Sequence, residues 1–278
     1  MYVTSFTKGI YDASGKDLVS TLERRAGAPQ LRAYVEGFDA DGLDTVDIMR
    51  DEWLLRWTGE NRHNIPVRYG GSNPGNMQVW NAKASLWFRK AAALVHAYRA
   101  APDGEVIVWL DADVLVVRDL PPGFFEGLLD RADVVYHCGA ERKRRSGVET
   151  GVLALRKCAA VDRLIDKYVE LYDRSAADWR YLDRWDDGYV MKAALRELSA
   201  THAEFMKSEH KLAGGARCRD LATRADNNPL VSSVCARYFV HQKGLHRSLD
   251  VDGLGRTVGA EKKRRAKRYK QFRDSVVG

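Results

Sequence analysis

Apolar residues in this chain fall into two alternating patterns: short continuous runs, and longer segments in which they recur at helical spacing. Residues 1–6 and Leu31-Arg32-Ala33-Tyr34-Val35 read as strands, with a helix over 16–25 between them. A helix is expected over 46–58, before the turn-rich stretch NIPVRYGGSNPGN at 64–76. Over 78–100, Trp80, Ala84, Trp87, Ala91 and Leu94 recur as one face of a helix. After the turn Pro102-Asp103-Gly104 comes Val106–Val117, an apolar run broken only by Asp111 and Asp113. Beyond it the pattern predicts a short helix at Pro121–Leu129, strands at Asp133–Tyr136 and Gly151–Leu155, and a helix over 159–174. A further helix begins near Asp186. Residues 213–230, rich in Gly, Arg, Asp and Asn, read as a surface loop, Ala236–Val240 as a last strand and 259–274 as a basic helix. This alternation predicts an α/β fold with a mostly parallel central sheet. With neither internal repeat nor linker composition, residues 1–255 are expected to form one domain and 256–278 a basic tail.

Ionised carboxylates are not left unpaired in an apolar strand, because desolvation costs too much. Asp111 and Asp113 therefore belong at the carboxyl end of a central strand, where open α/β sheets bind ligands. There they can share a hard divalent cation, Mg²⁺ or Mn²⁺, which completes its shell with water and substrate phosphates. Ala112 between them is small enough for a ligand to come close. A strand-end pair that merely caps the next turn is the plain alternative. Phosphatase-like hydrolases also carry a strand ending in D-x-D, but their motif opens the core, whereas here a long strand–helix stretch precedes it.

A partner lies far downstream. Tyr238-Phe239-Val240-His241-Gln242-Lys243-Gly244-Leu245-His246-Arg247 runs from a strand into H-x-x-G-x-x-R. Imidazole is a competent third ligand for Mn²⁺. Gly244 lets backbone approach a phosphate, and Arg247 can clamp a diphosphate bidentately. Together the two motifs resemble the metal-dependent GT-A glycosyltransferases, especially the glycogenin/galactosyltransferase-like group, which pairs a D-x-D with a late H-x-x-G-x-x-K. Arg247 replaces that lysine here.

The resemblance covers residues 1–250 and implies a Rossmann-like α/β/α sandwich. It also implies transfer of a sugar from a nucleoside-diphosphate donor, a UDP-sugar by preference, to a hydroxyl. Asp111, Asp113 and His241 would hold the metal. Thr4, Ser5, Phe6 and Tyr11 would receive the nucleotide base, with Glu36 flanking the pocket. Arg89 and Lys90 would face donor phosphates or sugar, with Asp111 and Ala112 beside the nucleotide and Lys243, Gly244 and Arg247 on the diphosphate. Glu149-Thr150-Gly151-Val152 resembles the group's N-S-G segment, with an acid in place of the amide. Trp185-Asp186-Asp187 resembles its D-Q segment. Asp187, then Asp186 and Glu149, are the candidates for a base if the reaction inverts. If it retains, the same group would stabilise an oxocarbenium-like centre. Aspartate at a helix start also reads as an N-cap.

Composition adds little until charge is mapped. Of 278 residues, 45% are hydrophobic and 30% charged, as in ordinary globular proteins. The four cysteines are scattered without a C-x-x-C pair, so neither a disulfide framework nor a zinc site is expected. No apolar stretch approaches a membrane span of about 20 residues, and the start MYVTSFTKGIYD reads as a strand rather than a signal peptide; a cytoplasmic location follows as an expectation, the host cytoplasm for a virus-encoded chain. The net charge of +7 is local: residues 256–278 hold nine Lys/Arg against two acids. That tail and Arg142-Lys143-Arg144-Arg145 suit a polyanionic acceptor. DNA with hydroxymethylated bases, the acceptor of virus-encoded DNA glycosyltransferases, is one candidate. A cell-surface polysaccharide or lipid-linked acceptor, reached by peripheral membrane contact, is another; a binding module with a catalytically dead site is the non-enzymatic alternative.

Overall fold

The computed structural model describes residues 1–27, 30–40, 42–61, 84–139, 147–177, 186–223, 229–242 and 271. Its strands are β1 (Tyr2–Phe6), β2 (Leu31–Val35), β3 (Asp44–Asp47), β4 (Val106–Leu110), β5 (Val114–Val116), β6 (Val134–His137), β7 (Glu149–Arg156), β8 (Glu209–Lys211), β9 (Arg217–Asp220) and β10 (Phe239–His241). The helices are α1 (Lys8–Ile10), α2 (Lys16–Arg25), α3 (Glu52–Asn61), α4 (Ala84–Ala100), α5 (Phe124–Leu128), α6 (Ala159–Ala177), α7 (Asp187–Leu198) and α8 (His202–Phe205). An eight-stranded sheet runs β3-β2-β1-β4-β7-β6-β9-β8, and a two-stranded one joins β10 to β5. In the large sheet only β7 and β8 oppose the common direction, so it is mostly parallel, as expected.

Strand β4 shows how the layers form. Its five residues are all buried, and successive side chains point to opposite faces. Ile107 and Trp109 join a core shared with α3, α4, α6 and α7, whereas Val106, Val108 and Leu110 join one shared with α2 and α5. A strand buried on both faces loses the polar alternation of a surface strand, which is why it reads as a continuous apolar run.

Three expectations need correction. The helix expected over 46–58 is a strand, a 3₁₀ turn at Ile48–Arg50 and then α3. Two aspartates place these breaks: Asp47 accepts from the Met49 amide, and Asp51 accepts from Leu54 N at 2.7 Å. The loop expected over 213–230 contains β9, which pairs with β6. Cys218 and Asp220 face inward there, and the outward arginines Arg217 and Arg219 hide the alternation in a polar-looking sequence. The last strand is Phe239–His241 rather than Ala236–Val240, because Ser233 caps a 3₁₀ turn over Val234–Arg237. The 64–76 turn, Trp80, Arg142–Arg145 and the 259–274 helix apart from Gln271 lie outside the described residues. Among the described residues no helix is long and apolar enough to cross a membrane.

Candidate metal centre and its carboxylate network

Strand β4 stops at Leu110 because the chain turns: Val114 N donates to Asp111 O at 2.9 Å, so the D-x-D segment forms the bend between the large sheet and β5. Asp111 N donates to Gly151 O at 2.9 Å, tying the bend to β7. On the other side β10 pairs with β5 antiparallel, His241 opposite Val114, and Gln242 N donates to Asp113 O at 2.9 Å. Backbone pairing thus delivers His241 to both aspartates. His241 Nε2 lies 2.9 Å from Asp113 Oδ1 and 3.6 Å from Asp111 Oδ2. One ligating atom from each of the three residues falls within 4.8 Å of the others. Two hard carboxylates and one imidazole fit Mn²⁺ or Mg²⁺.

A second layer of charge surrounds this trio. Trp109 Nε1 donates to Asp111 Oδ1 at 2.9 Å. Lys90, two residues along α4 from the buried Phe88, places Nζ 2.5 Å from Asp111 Oδ1 and 2.8 Å from Asp187 Oδ2. It also donates to Thr150 Oγ1 at 2.9 Å, and Thr150 Oγ1 donates to Asp187 Oδ2 at 2.5 Å. Burial alone would pull the Lys90 ammonium down, but Asp111 and Asp187 hold it above the ordinary lysine range. Burial pushes the Asp111 carboxyl up, with Lys90 and His241 pulling the other way. For His241, burial would lower the imidazole, yet Asp113 and Glu149 raise it to about 10. His241 must release that proton to serve as a ligand.

Glu149, at the start of β7, sets Oε1 2.9 Å from His241 Nδ1 and accepts from Gly151 N at 3.0 Å. The two adjacent aspartates divide their roles. Asp186 caps α7, accepting from Tyr189 N at 3.0 Å, and Asp187 turns into the network with Lys90. Glycine at 188 makes this possible, since a Cβ there would lie 2.2 Å from Val148 O.

Other expected residues gather nearby. Arg89 pairs with Glu36 across the ends of α4 and β2. Phe6 packs on Tyr11 at 5.3 Å between ring centroids, and Tyr11 on Phe38 at 5.7 Å. Thr4 is fully enclosed, whereas Ser5, Tyr11 and Ala112 are partly exposed. Lys243, Gly244 and Arg247 lie outside the described residues. Thr150, Trp109 and His137 escaped sequence reasoning. Thr150 stands within the E-T-G segment already noted, but nothing local shows that its hydroxyl bridges Lys90 and Asp187. Buried His137 sets Nδ1 3.1 Å from Val152 O, and burial lowers it to about 4.

No family model matches the chain, and no curated protein matches it by sequence. Solved structures do match. The galactosyltransferase LgtC, in complex with donor and acceptor sugar analogs, is similar over 100% of this chain and 96% of its own at 13% identity and a TM-score of 0.51. Mouse xyloside xylosyltransferase 1 is similar over 69% of this chain and 79% of its own, at 14% identity and a TM-score of 0.40. A glycosyltransferase involved in glycosylation of the major capsid of PBCV-1 is similar over 97% and 98%, at 14% and 0.40. The likeness to LgtC shows the fold, and this chain has the GT-A architecture.

Proposed function

We propose that this chain is a glycosyltransferase that moves a sugar from a nucleoside diphosphate, a UDP-sugar by preference, to an acceptor hydroxyl with Mn²⁺ or Mg²⁺. The observation that carries this reading is the convergence of Asp111, Asp113 and His241 at the carboxyl end of β4. In that place open α/β sheets bind nucleotides. The architecture shared with LgtC, a galactosyltransferase that holds donor and acceptor sugar analogs, supports it.

Asp111, Asp113 and His241 hold the ion in this reading. When bound, it supplies Lewis-acid neutralisation of the charge growing on the leaving diphosphate. Lys243, Gly244 and Arg247 follow His241 directly in sequence and are assigned to the diphosphate oxygens. Ser5 and Tyr11 are assigned to the base, with Thr4 and Phe6 as its floor, Glu36 and Arg89 at its flank and Ala112 under the nucleotide. Lys90 and Thr150 both engage Asp187 Oδ2, and we assign Oδ1 to a donor-sugar hydroxyl. With Oδ2 fixed by Lys90 and Thr150, we assign Asp187 as a held negative charge beside the anomeric carbon, the retaining form of the reaction. Asp186 Oδ1 caps α7, accepting from Tyr189 N, so we rank Asp186 behind Asp187 for any role at the reacting carbon.

The acceptor is argued from charge alone. Arg142–Arg145 and the tail of residues 256–278 suit a polyanion, and hydroxymethylated DNA is the form proposed. The test is nucleotide release from a panel of nucleotide sugars with Mn²⁺, with and without hydroxymethylated DNA. Expected are release abolished by EDTA, a fall of about 10²–10³-fold in Asp111→Asn, and stimulation by DNA that weakens steeply with salt. Full activity in EDTA or in Asp111→Asn would sink the metal-assisted reading. Vesicle binding without DNA binding, lost on deleting residues 259–278, would replace DNA with a lipid-linked acceptor.

A further inference from the structure

We infer that Glu149 is a positioning residue for the metal centre, the carboxylate behind His241, rather than a reacting group. This rests on the metal-assisted reading above. Imidazoles that bind metals through one nitrogen almost always give the other to a carboxylate, carbonyl or water, which sets the ring's tautomer and direction. Here His241 Nε2 faces Asp113 and Asp111, and Nδ1 faces Glu149 Oε1 at 2.9 Å. The ring therefore has a ligand side and a support side.

Two further observations show that the support side is built. Glu149 Oε1 is itself anchored by Gly151 N at 3.0 Å, within the same strand, so the acceptor cannot swing away without breaking a backbone contact. Both side chains are almost wholly enclosed, 8% exposed for His241 and 5% for Glu149. The ring also lies directly over Gly151: a Cβ there would stand 2.4 Å from His241 Nδ1 and 2.9 Å from Glu149 Oε1. Strand β7 thus supplies the acceptor from one residue and the seat for the ring from another. With an ion bound on the Nε2 side, Glu149 Oε1, 2.9 Å from Nδ1, would be the charge that keeps the proton on Nδ1 and leaves Nε2 for the ion. So placed, Glu149 is turned to the histidine rather than to a substrate hydroxyl, and it adds a further negative charge behind the ligands.

The experiment measures Mn²⁺ binding to the full chain without any nucleotide sugar, read from the free-ion electron paramagnetic resonance signal. Wild type is compared with Glu149→Gln and Glu149→Met, each with its thermal melt. Glu149→Gln keeps an acceptor oxygen and loses the charge, and should bind Mn²⁺ about tenfold more weakly; Glu149→Met loses both and should bind up to about 100-fold more weakly. If Glu149→Met fails to fold, the near-isosteric Glu149→Gln decides. Unchanged affinity in the folded variants overturns the proposal, and turnover lost at that unchanged affinity would make Glu149 a reacting group instead. Wild type that takes up no Mn²⁺ would overturn the metal-assisted reading itself, an outcome distinct from both.

Discussion

Lys90 carries a positive charge that burial alone disfavours, and Asp111, Asp187 and Thr150 hold it there. Removing one member of a buried ion pair leaves the others uncompensated, at a cost of about 3–5 kcal/mol. Lys90→Met should therefore lower the melting temperature, and Mn²⁺ should restore more of it than the ion adds to wild type, since the ion then supplies the positive charge beside Asp111 that Lys90 had supplied. A variant that melts with wild type would show that the two aspartates do not depend on Lys90. His137 makes a different prediction. Burial lowers it to about 4 from an ordinary 6.5, so the folded chain refuses a proton that the unfolded chain accepts. Its contribution is whole above pH 6.5 and is lost as pH falls toward 4, by up to about 3 kcal/mol. Urea melts at pH 7 and pH 5 should show a smaller acid loss in His137→Gln; equal losses would refute the assignment. The sequence marked Asp111, Asp113, His241 and Lys90, because charges beside apolar strand and helix residues stand out. It could not mark Thr150 or the contact from Glu149 to His241, whose meaning lies in side chains distant along the chain or on a neighbouring strand.

At the scale of elements, the site depends on how α7 meets the loop before β7. Val148 N donates to Gly188 O at 2.9 Å, and both Gly147 and Gly188 lack room for a Cβ. Gly188→Ala should push α7 off Val148, carrying Asp187 away from Lys90. We expect about 1–3 kcal/mol of lost stability and a fall in turnover larger than the fall in donor affinity. Equal stability and turnover would mean that the backbone yields cheaply there. Helix α4 is held differently, by aromatic packing. Phe88 stacks on Trp57 with centroids 4.0 Å apart and meets Tyr172 edge-on at 4.9 Å. Phe88→Ala should cost about 3–5 kcal/mol in a denaturant melt and loosen Arg89 and Lys90 beside it. Helices such as α4 and α6 were legible because a long amphipathic period resists local noise. Strands β3 and β9 were not, because each is short, polar on one side and stabilised by pairing with a neighbour that local sequence does not contain.

Across the whole molecule, the candidate metal centre lies where the eight-stranded sheet and the two-stranded β5–β10 sheet meet at a single bend. The small sheet pairs only three residues on each strand, so it should open more readily than β4–β7. Hydrogen exchange should find the amides of β5 and β10 less protected than those of β4, and Mg²⁺ should slow the former selectively. Uniform exchange, unmoved by Mg²⁺, would show that no ion clasps the two sheets together. By itself the sequence determined the α/β class, the strand that ends in two aspartates, and the downstream histidine expected to join them. These are local matters of period, burial and the cost of stranding a charge. Tertiary structure decided that β10 docks beside β5, that Asp186 caps while Asp187 enters the network, and that Glu149 stands behind the histidine. Each of those depends on which distant backbone pairs with which, and pairing partners are set by the packing of the whole chain rather than by any window along it.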